Sequence, residues 1–180
     1  MLAEKKYIEK IDLKHRKKFA QFFTPLPIAK FMVNWIFKNS SIKTLLEPAF
    51  GLGIFSRLAL KKNKDLKIKG FDVDKIIFKE ANKNFQNKQV NLYLEDYLYN
   101  DWNNRYDAII CNPPYLKFHN YNNLETVKEI KNKLNLNLSG FTNIYTLFLL
   151  KSIYQLNSNG KIAYIIPSEF LNSKYLILKK

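Results

Sequence analysis

Short apolar runs alternate with amphipathic stretches along this 180-residue chain. The runs are Lys43 to Glu47, Leu66 to Phe71, Val90 to Leu94, Arg105 to Cys111 and Lys161 to Ile166. Each has the length and residue types of a strand. The stretches between them carry apolar residues at helical spacing. Ile28, Phe31, Met32, Trp35 and Ile36 recur at that period and predict a helix from Pro27 to Asn39, with those residues in the core. Thr24 stands where it can cap that helix, and the prolines suit its first turn. Further helices are expected over Ile54 to Lys62, Lys75 to Phe85, Leu124 to Leu134, and from Gly140-Phe141-Thr142-Asn143 to about Leu156. Asn157-Ser158-Asn159-Gly160 reads as a turn before the last strand. Glu169 to Lys180 has room to begin another helix.

Strands alternating with helices predict an α/β fold: a Rossmann-like, mostly parallel sheet with helices on both faces. No repeat or linker divides the chain. Residues 21–180 are expected to form one domain, preceded by a basic arm or helix over residues 1–20.

The stretch that organises the rest is Asn112-Pro113-Pro114-Tyr115, directly after the fourth apolar run. Neither proline can donate to a sheet ladder, so together they end the strand. They also hold the residues before them in extended conformations. Asn112 is thereby fixed at the carboxyl end of a buried strand, where open α/β sheets bind ligands. A rigid amide, a proline carbonyl and an aromatic face suit a planar group bearing an NH2.

The other strand ends point to the same crevice. Pro48-Ala49-Phe50-Gly51-Leu52-Gly53 is a tight turn between the first strand and a helix, and its glycines let a ligand approach the backbone. It lacks the third glycine of the dinucleotide fingerprint, so a nicotinamide cofactor is disfavoured. Asp72 ends the second strand, where an acid can hold ribose hydroxyls. Asp74 suits the cap of the following helix better. Asp96 ends the third strand and can accept from an adenine amino group, with Tyr97 packing on the ring. Helix capping is the alternative there.

Composition narrows the partners. The chain is 47% hydrophobic, with 14 Phe and 11 Tyr, which supports a packed globule. No apolar run approaches the length of a membrane span, so no membrane is expected. The one cysteine, Cys111, allows no internal disulfide, which fits a reducing cytoplasm. His15, His119 and Cys111 show no metal-ligand spacing, and no metal site is expected. The formal net charge of +15 fits a polyanionic partner or a lysine-solvated surface equally well.

In their order these segments resemble the gamma-type N6-adenine-specific DNA methyltransferases of restriction-modification systems. The segments are Gln21-Phe22-Phe23-Thr24-Pro25, Leu46 to Gly53, Asp72, Asp96-Tyr97, Asn112 to Tyr115, Asn143 to Leu150, and Ile165-Ile166-Pro167-Ser168 with Phe170-Leu171. The resemblance runs from about Gln21 to the C-terminus. It implies a class I fold and S-adenosyl-L-methionine as cofactor. Thr24 would contact the methionine end, beside a loop of Glu47, Pro48, Ala49, Phe50, Gly51 and Gly53. Asp72 would hold the ribose, and Val73 and Pro114 would pack near the cofactor adenine, with Asp96 and Tyr97 as its adenine-binding pair. Asn112, Pro113, Pro114 and Tyr115 would be catalytic. Tyr115 would stack on a target adenine flipped out of double-stranded DNA. Tyr175 would be a second stacking platform, or equally a core residue of the terminal helix.

The sequence stops soon after the fifth strand, whereas that family carries two further strands and a target-recognition domain. Recognition is therefore expected from a separate domain or subunit. Two alternatives stay open. The same four-residue motif occurs in methyltransferases that modify a release-factor glutamine, and the chain could be a non-catalytic fragment that binds cofactor or DNA.

Overall fold

The computed structural model describes residues 2–85, 89–115, 124–136, 142–168 and 170. Helices α1 (Leu2–Lys10), α2 (Leu13–Lys18) and α3 (Leu26–Phe37) precede strand β1 (Thr44–Glu47). Then come α4 (Ile54–Lys62), β2 (Lys67–Asp72), α5 (Lys75–Phe85), β3 (Val90–Leu94) and β4 (Tyr106–Cys111). Helices α6 (Leu124–Leu134) and α7 (Ile144–Tyr154) and strand β5 (Leu156–Tyr164) complete the described elements.

The strands form one five-stranded sheet in the order β3-β2-β1-β4-β5, and every pair is parallel. The chain winds outward from β1 in both directions, so the switch point lies between β1 and β4. That is where a doubly wound sheet opens a crevice at its carboxyl edge.

Successive strand residues point to opposite faces, and both faces here are apolar. Leu45, Ile68, Ala108 and Ile110 pack with Ala29, Val33, Phe55 and Phe85 from α3, α4 and α5. Leu46, Phe71, Ile109 and Cys111 face the other way, toward Val127 and Ile130 of α6 and Leu147 and Phe148 of α7. Each fully buried Leu or Ile of the central strands contributes about 1.5–3 kcal/mol. One charged group lies inside this second layer. Lys151 of α7 is fully buried and donates to the carbonyls of Tyr97 and Asn100, with its ammonium over the Tyr97 and Trp102 rings. Burial lowers its pKa to about 7.

Three expectations need correction. Helix α3 buries Ala29, Met32, Val33 and Ile36, whereas Ile28, Phe31 and Trp35 are 46%, 70% and 45% exposed. The apolar residues cover more than one face, and the stripe containing Ala29 and Val33 is the one that meets the sheet. Thr24 does not cap this helix: Pro25 takes the N-cap position with no side-chain bond. Finally, the polar stretch before the fifth strand is not a separate turn. Strand β5 runs through it, with Tyr106 opposite Leu156 but Ala108 opposite Lys161. The extra residues bulge out, with Asn159 at a φ of 65°. Lying at the sheet edge, this strand is half-buried, in contrast to β4.

The basic arm is two short helices docked on the domain. Tyr7 packs with Leu52 and Ile77, and Glu4 pairs with Arg57. Asp74 does begin α5, accepting from the Ile76 N–H at 3.0 Å, but it also ties down the arm. His15 Nε2 lies 2.8 Å and Gln21 Nε2 2.6 Å from its Oδ2. Burial alone would raise the Asp74 pKa. The bonds from His15, the Ile76 N–H and Gln21 outweigh it and hold the carboxyl below the usual range.

Candidate active site

A half-open cavity of about 110 Å³ lies at the carboxyl ends of β1 to β4. Pro48, Ala49 and Gly51 reach it from the loop after β1, and Asp72 and Val73 from the end of β2. Asp96 and Tyr97 reach it after β3, and Asn112 and Pro114 after β4. Candidates taken from four separate loops thus meet at one place.

Other candidates sit behind this wall. Glu47 is fully buried and accepts from the Ser56 N–H at 3.0 Å and from the Ser56 hydroxyl. It fixes the first turn of α4 against β1, and burial pushes its carboxyl up to about 8. Phe50 packs edge-on against Phe85 at 5.1 Å within the core. Gly53 caps α4 in the left-handed region, at φ 69°, and a Cβ there would meet Phe50 at 2.5 Å. Thr24 is buried and does not line the cavity. Tyr175 lies outside the described residues.

The acids at the cavity are preset by backbone bonds. Asp72 Oδ2 accepts from the Gly51 N–H at 2.9 Å, and its Oδ1 from the Asp74 N–H at 2.9 Å. Gly51 has a φ of 54°, the turn conformation that aims this N–H at the acid. Burial pushes the Asp72 carboxyl up to about 6, against those two bonds. A carboxylate has about four lone-pair positions, so Asp72 keeps capacity for further donors. Asp96 Oδ1 accepts from the Leu98 N–H at 2.9 Å and shapes the turn after β3. Tyr97 is fully buried, packed on Phe71 and Phe148, and its hydroxyl donates to Gln155 Oε1 at 2.6 Å. Its ring therefore serves as cavity floor and core at once.

Asn112 is fixed from the far end of the sequence. Its Nδ2 lies 2.9 Å from the Phe22 carbonyl oxygen and 3.1 Å from Thr24 Oγ1. A peptide carbonyl can only accept, so the amide group facing it is the NH2. Asn112 Oδ1 is thereby turned away from Phe22, toward the Tyr115 hydroxyl at 2.8 Å. That hydroxyl is also 2.9 Å from the Ile165 carbonyl. It has one proton for two acceptors, so it can satisfy Ile165 while another donor takes Oδ1. Burial raises the Tyr115 pKa to about 12, and the phenol stays neutral near pH 7.

The arm-to-α3 segment adds residues given no site role from sequence, although Gln21, Phe22 and Phe23 belong to the leading motif quoted above. Phe19, Gln21, Phe22 and Phe23 form one side of the cavity. Phe22 is 62% exposed, with its ring 6.3 Å from that of Tyr115. The only sign of this in the sequence is a pair of aromatics before Thr-Pro.

The arrangement suits a nucleoside-bearing cofactor beside a planar amine. Asp72 would take ribose hydroxyls, Asp96 an adenine amino group, and Val73, Tyr97 and Pro114 the purine. Across the cavity rim, Asn112 Oδ1 offers an acceptor for an amine.

Comparison with known proteins bears on the family and the fold. The sequence pattern of the Eco57I restriction-modification methylase family matches residues 34–180. The chain is 60% identical to the Type II methyltransferase M.AccI of Acinetobacter calcoaceticus over 173 residues, 96% of this chain and 32% of that protein. It is 26% identical to a tRNA1(Val) (adenine(37)-N6)-methyltransferase of Vibrio vulnificus, over 69% of this chain and 51% of that one. Among solved structures, a Listeria monocytogenes chain assigned as a class I S-adenosylmethionine-dependent methyltransferase superposes with a TM-score of 0.67 at 17% identity, covering 92% of this chain and 51% of its own. That likeness bears on the fold, which is the class I methyltransferase fold. The chain spans about a third of the length of the M.AccI relative.

Proposed function

The chain belongs to the Eco57I restriction-modification methylase family, and from that premise we propose that it carries the catalytic site of a DNA methyltransferase acting on N6 of adenine, with S-adenosyl-L-methionine as methyl donor. The observation that carries the reading is the orientation of Asn112. Its NH2 is held by Phe22 and Thr24, so its carbonyl oxygen serves as the acceptor at the rim of the cavity. The adenine-N6 specificity named for the tRNA methyltransferase relative supports the choice of amine.

Asp72, Asp96, Val73, Tyr97 and Pro114 would hold the cofactor. When bound, it supplies a methyl group already activated by sulfonium charge, so the protein needs no strong base. Adenine N6 is a weak nucleophile because its lone pair is delocalised into the ring. Asn112 Oδ1 and the Pro113 carbonyl would accept its two hydrogens and favour a pyramidal amine with its lone pair aimed across the rim. The N–CH3 bond forms as the S–CH3 bond breaks, with that electron pair staying on sulfur. The surplus N6 proton then passes to water. Positioning of this kind can account for about 7–11 kcal/mol of a barrier.

A base in a duplex cannot enter the cavity, so the adenine must be flipped out, at a cost of a few kcal/mol. Tyr115 would offset about 1–3 kcal/mol of that by stacking. Tyr175 is the proposed second platform. The excess of lysine would meet the DNA phosphates. Sequence choice would come from a further recognition domain or a separate subunit.

The test is transfer of labelled methyl from S-adenosyl-L-methionine to duplex DNA, to tRNA and to release factor in separate reactions. Label in DNA is the expected result. Label on release factor alone, or on tRNA alone, would sink the DNA assignment.

A further inference from the structure

We propose that Lys151 is a positioning residue for the cofactor adenine: from inside the core it fixes the peptide unit that aims the Asp96 carboxylate. This rests on the adenine-binding role proposed for Asp96 above.

Strand β3 stands at the edge of the sheet, with β2 as its neighbour. The turn that leaves it has no strand on its far side and must be held from elsewhere. Its own bonds are local. The Tyr99 N–H donates to the Asp96 carbonyl at 3.3 Å and the Asn100 N–H to the Tyr97 carbonyl at 3.2 Å. The Asn100 side-chain amide reaches the Asp96 carbonyl at 2.9 Å. A single turn of this kind is marginal alone, because a few hydrogen bonds must offset the ordering of several residues.

Helix α7 supplies the support. Lys151 Nζ donates to the carbonyls of Tyr97 and Asn100. Gln155, one turn further along α7, accepts from the Tyr97 hydroxyl at 2.6 Å and donates to the Asp101 carbonyl. Lysine suits this place. An ammonium has three donors on one atom, so it can bind two carbonyls and still turn to the Tyr97 and Trp102 rings, whose centroids lie 4.0 and 4.5 Å away. A buried ammonium is costly unless it is partnered in this way.

The Tyr97 carbonyl is the decisive partner. It belongs to the same planar peptide unit as the Leu98 N–H, and that N–H donates to Asp96 Oδ1 at 2.9 Å. The path from Lys151 to the Asp96 carboxylate is therefore two hydrogen bonds joined by one rigid group. Holding the carbonyl sets the plane of the peptide, and the plane sets the direction of the N–H. Lys151 itself does not line the cavity, so it can affect a ligand only through this turn.

Two ligands separate the contact at Asp96 from the rest of the site. They are S-adenosyl-L-homocysteine and S-inosyl-L-homocysteine, which carries a 6-oxo group in place of the 6-amine. The wild-type protein should prefer the first by about 10- to 100-fold, the range of a hydrogen bond to a charged group. Lys151→Met keeps the length of the side chain and removes its donors. It should weaken binding of the first ligand by about 3- to 30-fold, as for coupled groups in one network, and leave the second within about twofold. Asp96→Ala should lose the same preference, and Lys151→Met added to it should cost nothing further.

The wild-type protein gives an independent reading where Lys151→Met does not fold. With 15N-labelled lysine at a pH below the Lys151 pKa of about 7, its ammonium signal is recognised by slow solvent exchange, because no other lysine among the described residues is buried. Coupling is reciprocal, so S-adenosyl-L-homocysteine should slow that exchange by about two- to tenfold more than S-inosyl-L-homocysteine does. A preference kept in full by Lys151→Met, or equal slowing by the two ligands, would overturn the proposal. So would an equal loss of affinity for both ligands, which marks a support of the fold alone. If the wild-type protein shows no preference, the adenine-binding role of Asp96 fails and the inference falls with it.

Discussion

On the β2 and β3 side of the cavity, the acids are set by backbone N–H groups. Asp72 takes the Asp74 N–H two residues on and the Gly51 N–H from the loop after the neighbouring β1, and Asp96 takes the Leu98 N–H two residues on. On the β4 side, Asn112 is held by Phe22, 90 residues earlier in the chain, and by Thr24. The first side takes shape as the turns after β2 and β3 form and β1 pairs with β2. The second has its acceptor aimed only once the arm-to-α3 segment has docked across the sheet. The proposed cofactor side, set by the turns after neighbouring strands, and the proposed target side, set by a contact across 90 residues, can therefore be broken separately.

The largest expected effect is on the target side. Asn112→Ala removes the amine acceptor and should reduce methyl transfer by about 10²- to 10³-fold, the range for loss of one preorganised polar group. Calorimetric titration should find affinity for S-adenosyl-L-methionine unchanged. A parallel loss of cofactor binding would show that the two sides are one unit.

Asp72→Ala breaks the cofactor side. Loss of hydrogen bonds to a carboxylate should weaken cofactor binding by about 10- to 100-fold. The wild-type affinity should also depend on pH. The Asp72 carboxyl is pushed up to about 6, and the ribose hydroxyls proposed to bind it would donate to its ionised form. Below that pH a proton must be given up on binding. Affinity should therefore fall by up to tenfold per pH unit under about pH 6 and be level above it. The Asp72→Ala protein should show no such slope.

Glu47 sharpens the comparison, because it is an acid at a strand end that never meets the cavity. Its folded pKa of about 8 lies above the ordinary glutamate value of 4.5. Between those values the unfolded chain gives up the proton first, so the contribution to stability is full below about pH 4.5 and is lost as pH rises to about 8. The slope is at most about 1.4 kcal/mol per pH unit. Glu47→Gln should flatten this fall in thermal denaturation while leaving cofactor affinity as it was.

The smallest effect is expected from His15→Ala, which removes one partner of Asp74 in the arm. The cost should be about 0.2–1 kcal/mol. Amide hydrogen exchange should rise in residues 2–18 and stay constant in β1 and β4.

Much of the fold is legible in the sequence because strand and helix periods differ and the strands are buried on both faces. The runs ending at Glu47, Leu94 and Cys111 coincide with strand ends, and the Asn-Pro-Pro-Tyr stretch falls at the switch point of the sheet. The failures share a cause. Trp35 and Ala29 both fit a helical period, and only the sheet beneath decides which stripe is buried. Asn157 to Gly160 has the chemistry of a turn, yet pairing with β4 turns it into a bulge. Glu47 ends β1 and Phe50 lies in the following loop that reaches the cavity, but their own side chains point inward to Ser56 and Phe85. The hold of Phe22 and Thr24 on Asn112 involves a backbone carbonyl 90 residues away, which leaves no local pattern in sequence.

The most direct measurement is identification of the methylated base. Duplex DNA would be incubated with the protein and S-adenosyl-L-methionine carrying a labelled methyl group, then digested to nucleosides and separated. The account predicts label in N6-methyldeoxyadenosine, and its loss in Asn112→Ala. Label in a methylated cytosine, or undiminished N6-methyldeoxyadenosine in Asn112→Ala, would contradict it.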